Sequence, residues 1–172
     1  TEIIALTMQA NCDNGSAVST EDAESAFQTL KRQSIHDATR IVWKEAAQVL
    51  NLYYGRRSIV FYAYTLEDGT KIVAVIYSDE GARQGCRLGS TLYDVVFQPI
   101  YSALQNAFPD FVITTHTDDK PTAIPTPTDG DWNKQLNRTH SLNIMYDNLA
   151  NPHGVRRNLI KQGLLLPPSV LR

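Results

Sequence analysis

The sequence predicts one α+β domain, an antiparallel sheet with its helices packed on one face. Three observations point there. Two β-branched and aromatic runs, SIVFYAY and KIVAVIY, are separated by LEDGT, whose Asp-Gly pair supplies the positive φ that a tight hairpin turn demands. Other stretches carry apolar residues at helical spacing and alternate with these strand-like runs, the order expected when helices cover an antiparallel sheet. At 172 residues the chain can build one substantial core but not two comfortable ones.

Residues 1–20 are mostly small and polar after a brief IIAL and read as a strand remnant and loop leading into the domain. DAESAFQTLKR, from Asp22, can start a helix. HDATRIVWKEAAQVLNLYYG then sets Val42, Ala46, Val49, Leu50 and Tyr53 on one helical face, with Gly55 as the stop. The hairpin follows, then a glycine-rich loop, SDEGARQGCRLGS. Thr91 to Phe108 reads as a helix with Leu92, Val95, Val96, Ile100 and Leu104 inward, Thr91 and Asp94 spaced as a capping box, and a kink at Pro99. DFVITTHTDDKPTAI is a strand, a carboxylate-bearing turn and a short second strand that Pro121, Pro125 and Pro127 confine to an edge or end early. Trp132 to Leu149 is another amphipathic helix, through Trp132, Leu136, Leu142, Met145 and Leu149. VRRNLIKQGLLLPP reads as a last strand or a pair of short ones.

Hydrophobic content of 42% with 20% charged residues suits a globular domain, and no run approaches the roughly 18 apolar residues that span a bilayer, so no membrane partner is expected. Cys12 and Cys86 are far apart without CxxC or histidine spacing, which argues against a zinc site and a disulfide framework and for a reducing intracellular compartment: nucleus, cytoplasm or organelle matrix. A chain beginning with threonine and lacking a leader pattern is expected to be a fragment or processed piece. The formal charge of −2 sits awkwardly with duplex binding, which favours a basic excess.

ITTHTDDK, residues 113–120, poses the chemical question. Adjacent carboxylates at Asp118 and Asp119 repel each other, so the pair calls for open water or a cation. Two aspartates in a turn are most often a solvated tip. If the tip lies beside the start of the first helix, however, Asp22 becomes a third carboxylate in one cleft, and oxygen donors of that kind suit two Mg²⁺ ions roughly 3.5–4 Å apart.

The order of the motifs resembles the palm of reverse transcriptases of the non-LTR retroelement and group II intron type, from about Asp22 to Pro168. Asp22, Ala26, Phe27 and Arg32 match an aspartate followed by Ala-Phe and an arginine. Gly81, Arg83, Gln84, Gly85, Cys86, Gly89 and Ser90 match the family's G-x-R-Q-G pattern and its continuation. His116, Thr117, Asp118 and Asp119 stand where the family has Y-x-D-D, and Gly154, Val155, Asn158 and Lys161 match G-[LV]-x-x-N-x-x-K. The resemblance implies a palm over residues 21–168 with a tail at 169–172, and an RNA-directed DNA polymerase acting on an RNA template, a DNA primer and a dNTP. Asp22 and Asp118 would hold two Mg²⁺ ions, with Mn²⁺ as the alternative, and Asp119 would support them. Phe27 would be the steric gate against a ribose 2′-hydroxyl. Gln84 and Gly85 would lie against the incoming nucleotide and template base. Lys161 would protonate the departing pyrophosphate.

Plainer roles compete with these. Asp22 can serve the first turn of a helix, Phe27 can be a core aromatic, and Arg83 and Arg87, with Arg56-Arg57 and Arg156-Arg157, are either solvated or a nucleic-acid phosphate track. His116 replaces the family's tyrosine, and the chain carries neither a fingers segment before Asp22 nor a thumb after Pro168. Two functions therefore stand. One is the palm portion of a polymerase, inactive or very weak in isolation and completed by other domains or chains. The other is a catalytically silent domesticated domain serving as a structural or RNA-associated subunit of a ribonucleoprotein.

Overall fold

The computed structural model describes residues 2–82, 86–115, 117, 119–167 and 170. Arg83, Gln84, Gly85, His116 and Asp118 therefore lie outside the described residues. The element order is α1 (Glu2–Asp13), β1 (Ala17–Thr20), β2 (Ala23–Glu24), α2 (Ala26–Thr29), α3 (Arg32–Val42), α4 (Lys44–Tyr54), β3 (Ser58–Thr65), β4 (Lys71–Ser78), α5 (Gly89–Ala107), β5 (Val112–Ile113), β6 (Thr122–Ile124), α6 (Trp132–Ala150), a 3-10 turn (Asn151–His153), β7 (Arg156–Arg157) and β8 (Gly163–Leu165).

Every strand pairing among the described residues is antiparallel, as expected. The central sheet has the order β5-β6-β1-β8, and two further two-stranded sheets are formed by β2 with β7 and by β3 with β4. In the central sheet Ala17 pairs with Ile124, Val18 with Ala123 and Ser19 with Thr122. Because successive side chains point to opposite faces, Ala17 and Ile124 join the core that α5 and α6 close, while Val18 and Ala123 face Met8 and Asn11 of α1. The helix Glu2–Asp13 replaces the strand remnant and loop expected there. It covers part of the second sheet face, which a brief apolar run followed by small polar residues does not reveal.

The core is organised on α5. Leu92, Val96, Ile100 and Leu104 are buried as expected, and a second row, Tyr93, Phe97 and Tyr101, is buried beside them at i, i+4 and i+8. Tyr93 stacks on Phe97 with centroids 4.3 Å apart, and Tyr146 of α6 meets Phe97 and Tyr101. Pro99 is exposed and the helix runs on through it. The capping box does not form, because α5 starts at Gly89, two residues before Thr91, with no side-chain cap.

The helical stretch before Gly55 is two helices broken at Trp43, whose φ of −143° and ψ of 67° are not helical. The β-branched and aromatic series Ile41-Val42-Trp43 is poor helix material. The break also changes which residues turn inward: α3 buries Ile35 and Thr39, α4 buries Ala47, Leu50 and Tyr54, and the expected Val42, Val49 and Tyr53 are exposed. On α6 the buried row is likewise shifted to Gln135, Thr139, Leu142, Tyr146 and Ala150. Its start is capped by Asp131, whose carboxylate accepts from the backbone N–H groups of Asn133 and Lys134. The β3–β4 hairpin turns at Gly69 (φ 83°), where the Asp68 carboxylate accepts from the Thr70 N–H and is held below its usual pKa by that bond. Its apolar side chains are exposed on both faces.

Candidate functional site

The site is built where β1 runs on past its last ladder pair. Ala17 and Val18 are both buried, Val18 under α1; from there Ser19, Glu21 and Ala23 are buried, whereas Thr20 and Asp22 are half-buried and Glu24 is exposed, so a period of two runs from residue 19 to residue 24. On the partner strand Lys120, Thr122 and Ile124 are buried. Continuing the register of Ser19 with Thr122 by one pair at a time sets Glu21 opposite Lys120 and Asp22 opposite Asp119. The Lys120 N–H donates to the Glu21 carbonyl at 2.9 Å, which carries the alignment that far.

The two facing pairs lie on opposite sides of the sheet. Inside, Lys120 Nζ lies 2.7 Å from Glu21 Oε2, with both side chains almost fully enclosed. The contact sets opposite charges at short range within the core. The ammonium also sits 4.3 Å from the centroid of the Tyr146 ring. Burial lowers the Lys120 pKa, and the Glu21 carboxylate opposes that shift. Outside, Asp22 and Asp119 share the outward face. Carboxylates directly opposite on neighbouring strands destabilise a sheet unless a cation lies between or beside them.

A cation is present at Asp22. Lys161 Nζ lies 2.9 Å from Asp22 Oδ2, and the Asn158 amide donates to the same oxygen at 3.5 Å. The lysine is set by a turn after β7: the Asn158 N–H donates to the Asp22 carbonyl at 2.8 Å, the Asn158 side chain accepts from Ile160 N–H, and the Lys161 N–H donates to the Asn158 carbonyl. β7 itself is fixed from two sides. Ala23 pairs with Arg157, and the Arg157 guanidinium donates two bonds of 2.7 and 2.6 Å to Asp147 of α6, which raises its pKa.

Asp22, Phe27, Asn158 and Lys161 line one open cleft of about 340 Å³. Phe27 is half-buried and leans on Tyr93, with centroids 5.9 Å apart, so it is both a cleft wall and a core neighbour. Its helix, α2, starts at Ser25 in the left-handed region (φ 48°) and is gripped from two directions. Ala82 N–H donates to the Phe27 carbonyl and Gly81 N–H to the Leu30 carbonyl, while Lys31 N–H donates to the His153 carbonyl. Gly81 (φ 78°) and Gly154 (φ 87°) make these approaches: a Cβ would lie 2.5 Å from the Gln28 carbonyl oxygen at the first and 2.3 Å from that of Thr29 at the second. The two motif glycines thus position the backbone of Phe27.

Of the residues singled out from sequence, the structure brings together Asp22, Phe27 and Lys161 in the cleft, whereas Asp119 is exposed and does not line it. Arg87 is exposed on the turn before α5 and does not line the cleft. Asp118, Arg83, Gln84 and Gly85 are outside the described residues. Among the described residues no group of three or more histidines, cysteines or carboxylates is arranged to hold a metal ion. The two described acids nevertheless offer hard oxygen donors of the type divalent magnesium prefers, and both described contacts to the Asp22 carboxylate fall on Oδ2. Sequence reading missed Glu21 and Lys120. Their signal was present as a single charged residue of each sign immediately beside each acid, at the parity that β alternation turns inward.

No family model matches the sequence, and no curated protein matches it. Solved structures do match the fold. A telomerase from Candida albicans, in complex with a TWJ fragment of telomeric RNA, superposes with a TM-score of 0.67 at 10% identity, over 98% of this chain and 32% of that one. A C-terminally truncated apo telomerase from Candida tropicalis gives 0.63 at 13% identity over 98% and 35%. The apo telomerase from the same organism gives 0.63 at 12% identity over 98% and 33%. The fold resembles a portion of telomerase. This chain spans about a third of the length of those structures.

Proposed function

We propose that this chain is the palm portion of an RNA-directed DNA polymerase, with Asp22 and Asp119, together with Asp118, as the acids that carry nucleotidyl transfer. The observation that carries the reading is the cleft that Asp22, Phe27 and Lys161 line together, with Lys161 Nζ 2.9 Å from the Asp22 carboxylate; the register of Ser19 with Thr122, continued past Lys120, faces Asp119 towards Asp22. The likeness to telomerase, a reverse-transcriptase-type enzyme, supports it at the level of fold, and RNA, DNA primer, dNTP and further domains come as partners with it. Two Mg²⁺ ions held by these carboxylates would supply activation of the primer hydroxyl and charge neutralisation at the phosphates.

The remaining chemistry belongs to the chain. Lys161, paired with Asp22 on an exposed stem, can swing its ammonium to the leaving phosphate and donate a proton there. Asn158 keeps that lysine at the mouth of the cleft. Phe27 lines the cleft where a sugar would pass, and its backbone clamp resists displacement by a 2′-hydroxyl.

The test is primer extension on an RNA template by the intact protein with Mg²⁺ or Mn²⁺, comparing Asp22→Asn and Asp118→Asn with the parent sequence. Loss of incorporation by two orders of magnitude or more in both, on the order expected when transition-state charge stabilisation is removed, is the supporting result. Incorporation unchanged by either substitution removes these acids from the chemistry. The ammonium already on Asp22 favours a second reading, a silent domain in which Lys161 takes the cation's place. Stable copurification with RNA and partner proteins, with no incorporation under any metal, decides for that one.

A further inference from the structure

A second cavity, of about 310 Å³, opens between α3, α4 and the Gly55–Arg57 loop, and it shares no lining residue with the acid cleft. Its chemistry is the opposite. Arg32, His36 and Arg40 recur every four residues along α3 and so form one ridge. Arg56 and Arg57 join from the loop, and among the described residues Asp79 is the one carboxylate in the lining. Asp79 is already taken, paired with Arg57 at 2.8 Å.

The arginines differ in what holds them. Arg32 is buried and structural: it donates to the carbonyls of Gly81 and Arg56 and to Ser78, with Tyr54 under its guanidinium. Its bonds pin the loop that presents Arg56 and Arg57, so the cavity wall is pre-formed. Arg40 and Arg56 are exposed at the rim, and among the described residues neither guanidinium is paired with a carboxylate. A chain of net charge −2 thus gathers four arginines around one hollow. Basic side chains on one helix ridge repel each other when nothing anionic is near, and arginine forks match phosphate oxygens geometrically.

We infer that this cavity is a docking site for the phosphodiester backbone of a nucleic-acid strand, with Arg40 and Arg56 as its exposed phosphate contacts. The choice of nucleic acid over another polyanion rests on the proposed function; the site and its charge do not. Contacts of this kind position a strand without reading its bases.

The experiment is equilibrium binding of fluorescent single-stranded RNA, and of DNA of the same sequence, to the intact protein in EDTA across a salt series. The Arg40→Gln/Arg56→Gln variant is expected to flatten the slope of log K against log salt by about 1.4, that is about 0.7 for each phosphate left without its arginine. One variant is a control: Lys134→Gln removes a surface charge outside the cavity lining and should leave the slope alone. Circular dichroism confirms that the double variant is folded. Equal loss from Lys134→Gln, an unchanged slope in the double variant, or equal competition by poly-glutamate of matched charge overturns the inference. Because no metal or nucleotide is present, failure of this binding does not touch the polymerase reading. Failure of primer extension with the slope change intact removes that reading and leaves the site.

Discussion

Replacing Lys120 alone should be among the most damaging single changes in the domain, while replacing it together with Glu21 should be nearly harmless. At 2.7 Å the attraction between the two groups amounts to about 6 kcal/mol at an effective dielectric of about 20. Removing two ions from water costs several kcal/mol each, so the intact pair contributes little net stability against apolar residues of the same volume. Lys120→Met leaves the Glu21 carboxylate buried beside the Tyr146 ring without a counter-charge, a loss of about 3–5 kcal/mol, from a total of roughly 5–15 kcal/mol for a domain of this kind. Glu21→Leu with Lys120→Met removes both charges without stranding a polar group and should fall within about 1.5 kcal/mol of the parent. Urea unfolding followed by tryptophan fluorescence and far-UV circular dichroism measures all three. A double variant as unstable as Lys120→Met would mean that packing, not the stranded charge, sets the cost, and the reasoning would be refuted.

Alkaline unfolding should be steep. Burial raises the hydroxyl pKa of Tyr93 and Tyr101 and pushes Tyr146 up to about 12. A raised folded-state pKa means that the stability is complete below the unfolded value near 10 and is lost as pH climbs through the folded values, at about 1.4 kcal/mol per pH unit for each ring. Lys120 acts in the opposite sense only below its unfolded value of about 10.4. Urea midpoints between pH 10 and 12 should fall, and Tyr101→Phe should reduce the slope by about a third. Gly154→Ala should cost about 2–5 kcal/mol, since a left-handed alanine is combined with a clash against backbone. Gly69→Ala, whose added methyl meets nothing within 4 Å, should cost only the conformational strain of about 1–2 kcal/mol. Equal losses at the two glycines would show that contact with α2 is unimportant.

What was legible in the sequence followed from local rules. The Asp-Gly hairpin, the carboxylate turn between two short strands and the paired strands after Gly154 all appear where turn chemistry and β-branched runs put them. Helix faces were less legible, because α3 and α6 bury Thr39, Gln135 and Thr139, whose hydroxyl or amide makes them look like surface. The hydroxyls of Thr39 and Thr139 bond back to carbonyls one turn earlier and so need no water. α1 was invisible for a related reason: MQANCD carries no apolar stripe beyond IIAL, and the sheet face it packs on joins Val18 of the neighbouring strand to Val112 and Ala123, about a hundred positions further along the chain. In the candidate site, the resemblance to the reverse transcriptase palm drew Asp22, Phe27 and Lys161 together, but the inward charges that align the strands had no motif to announce them.

That alignment has an evolutionary reading. A slip of one position in β1 would swing Asp22 indoors as an unshielded anion and carry Glu21 out, leaving Lys120 enclosed without its counter-charge, so a misthreaded sheet penalises itself through its own electrostatics. Insertions or deletions between Ala17 and Asp22 should consequently be tolerated in twos far better than in ones, leaving an odd-even signature in any library of length variants of this strand.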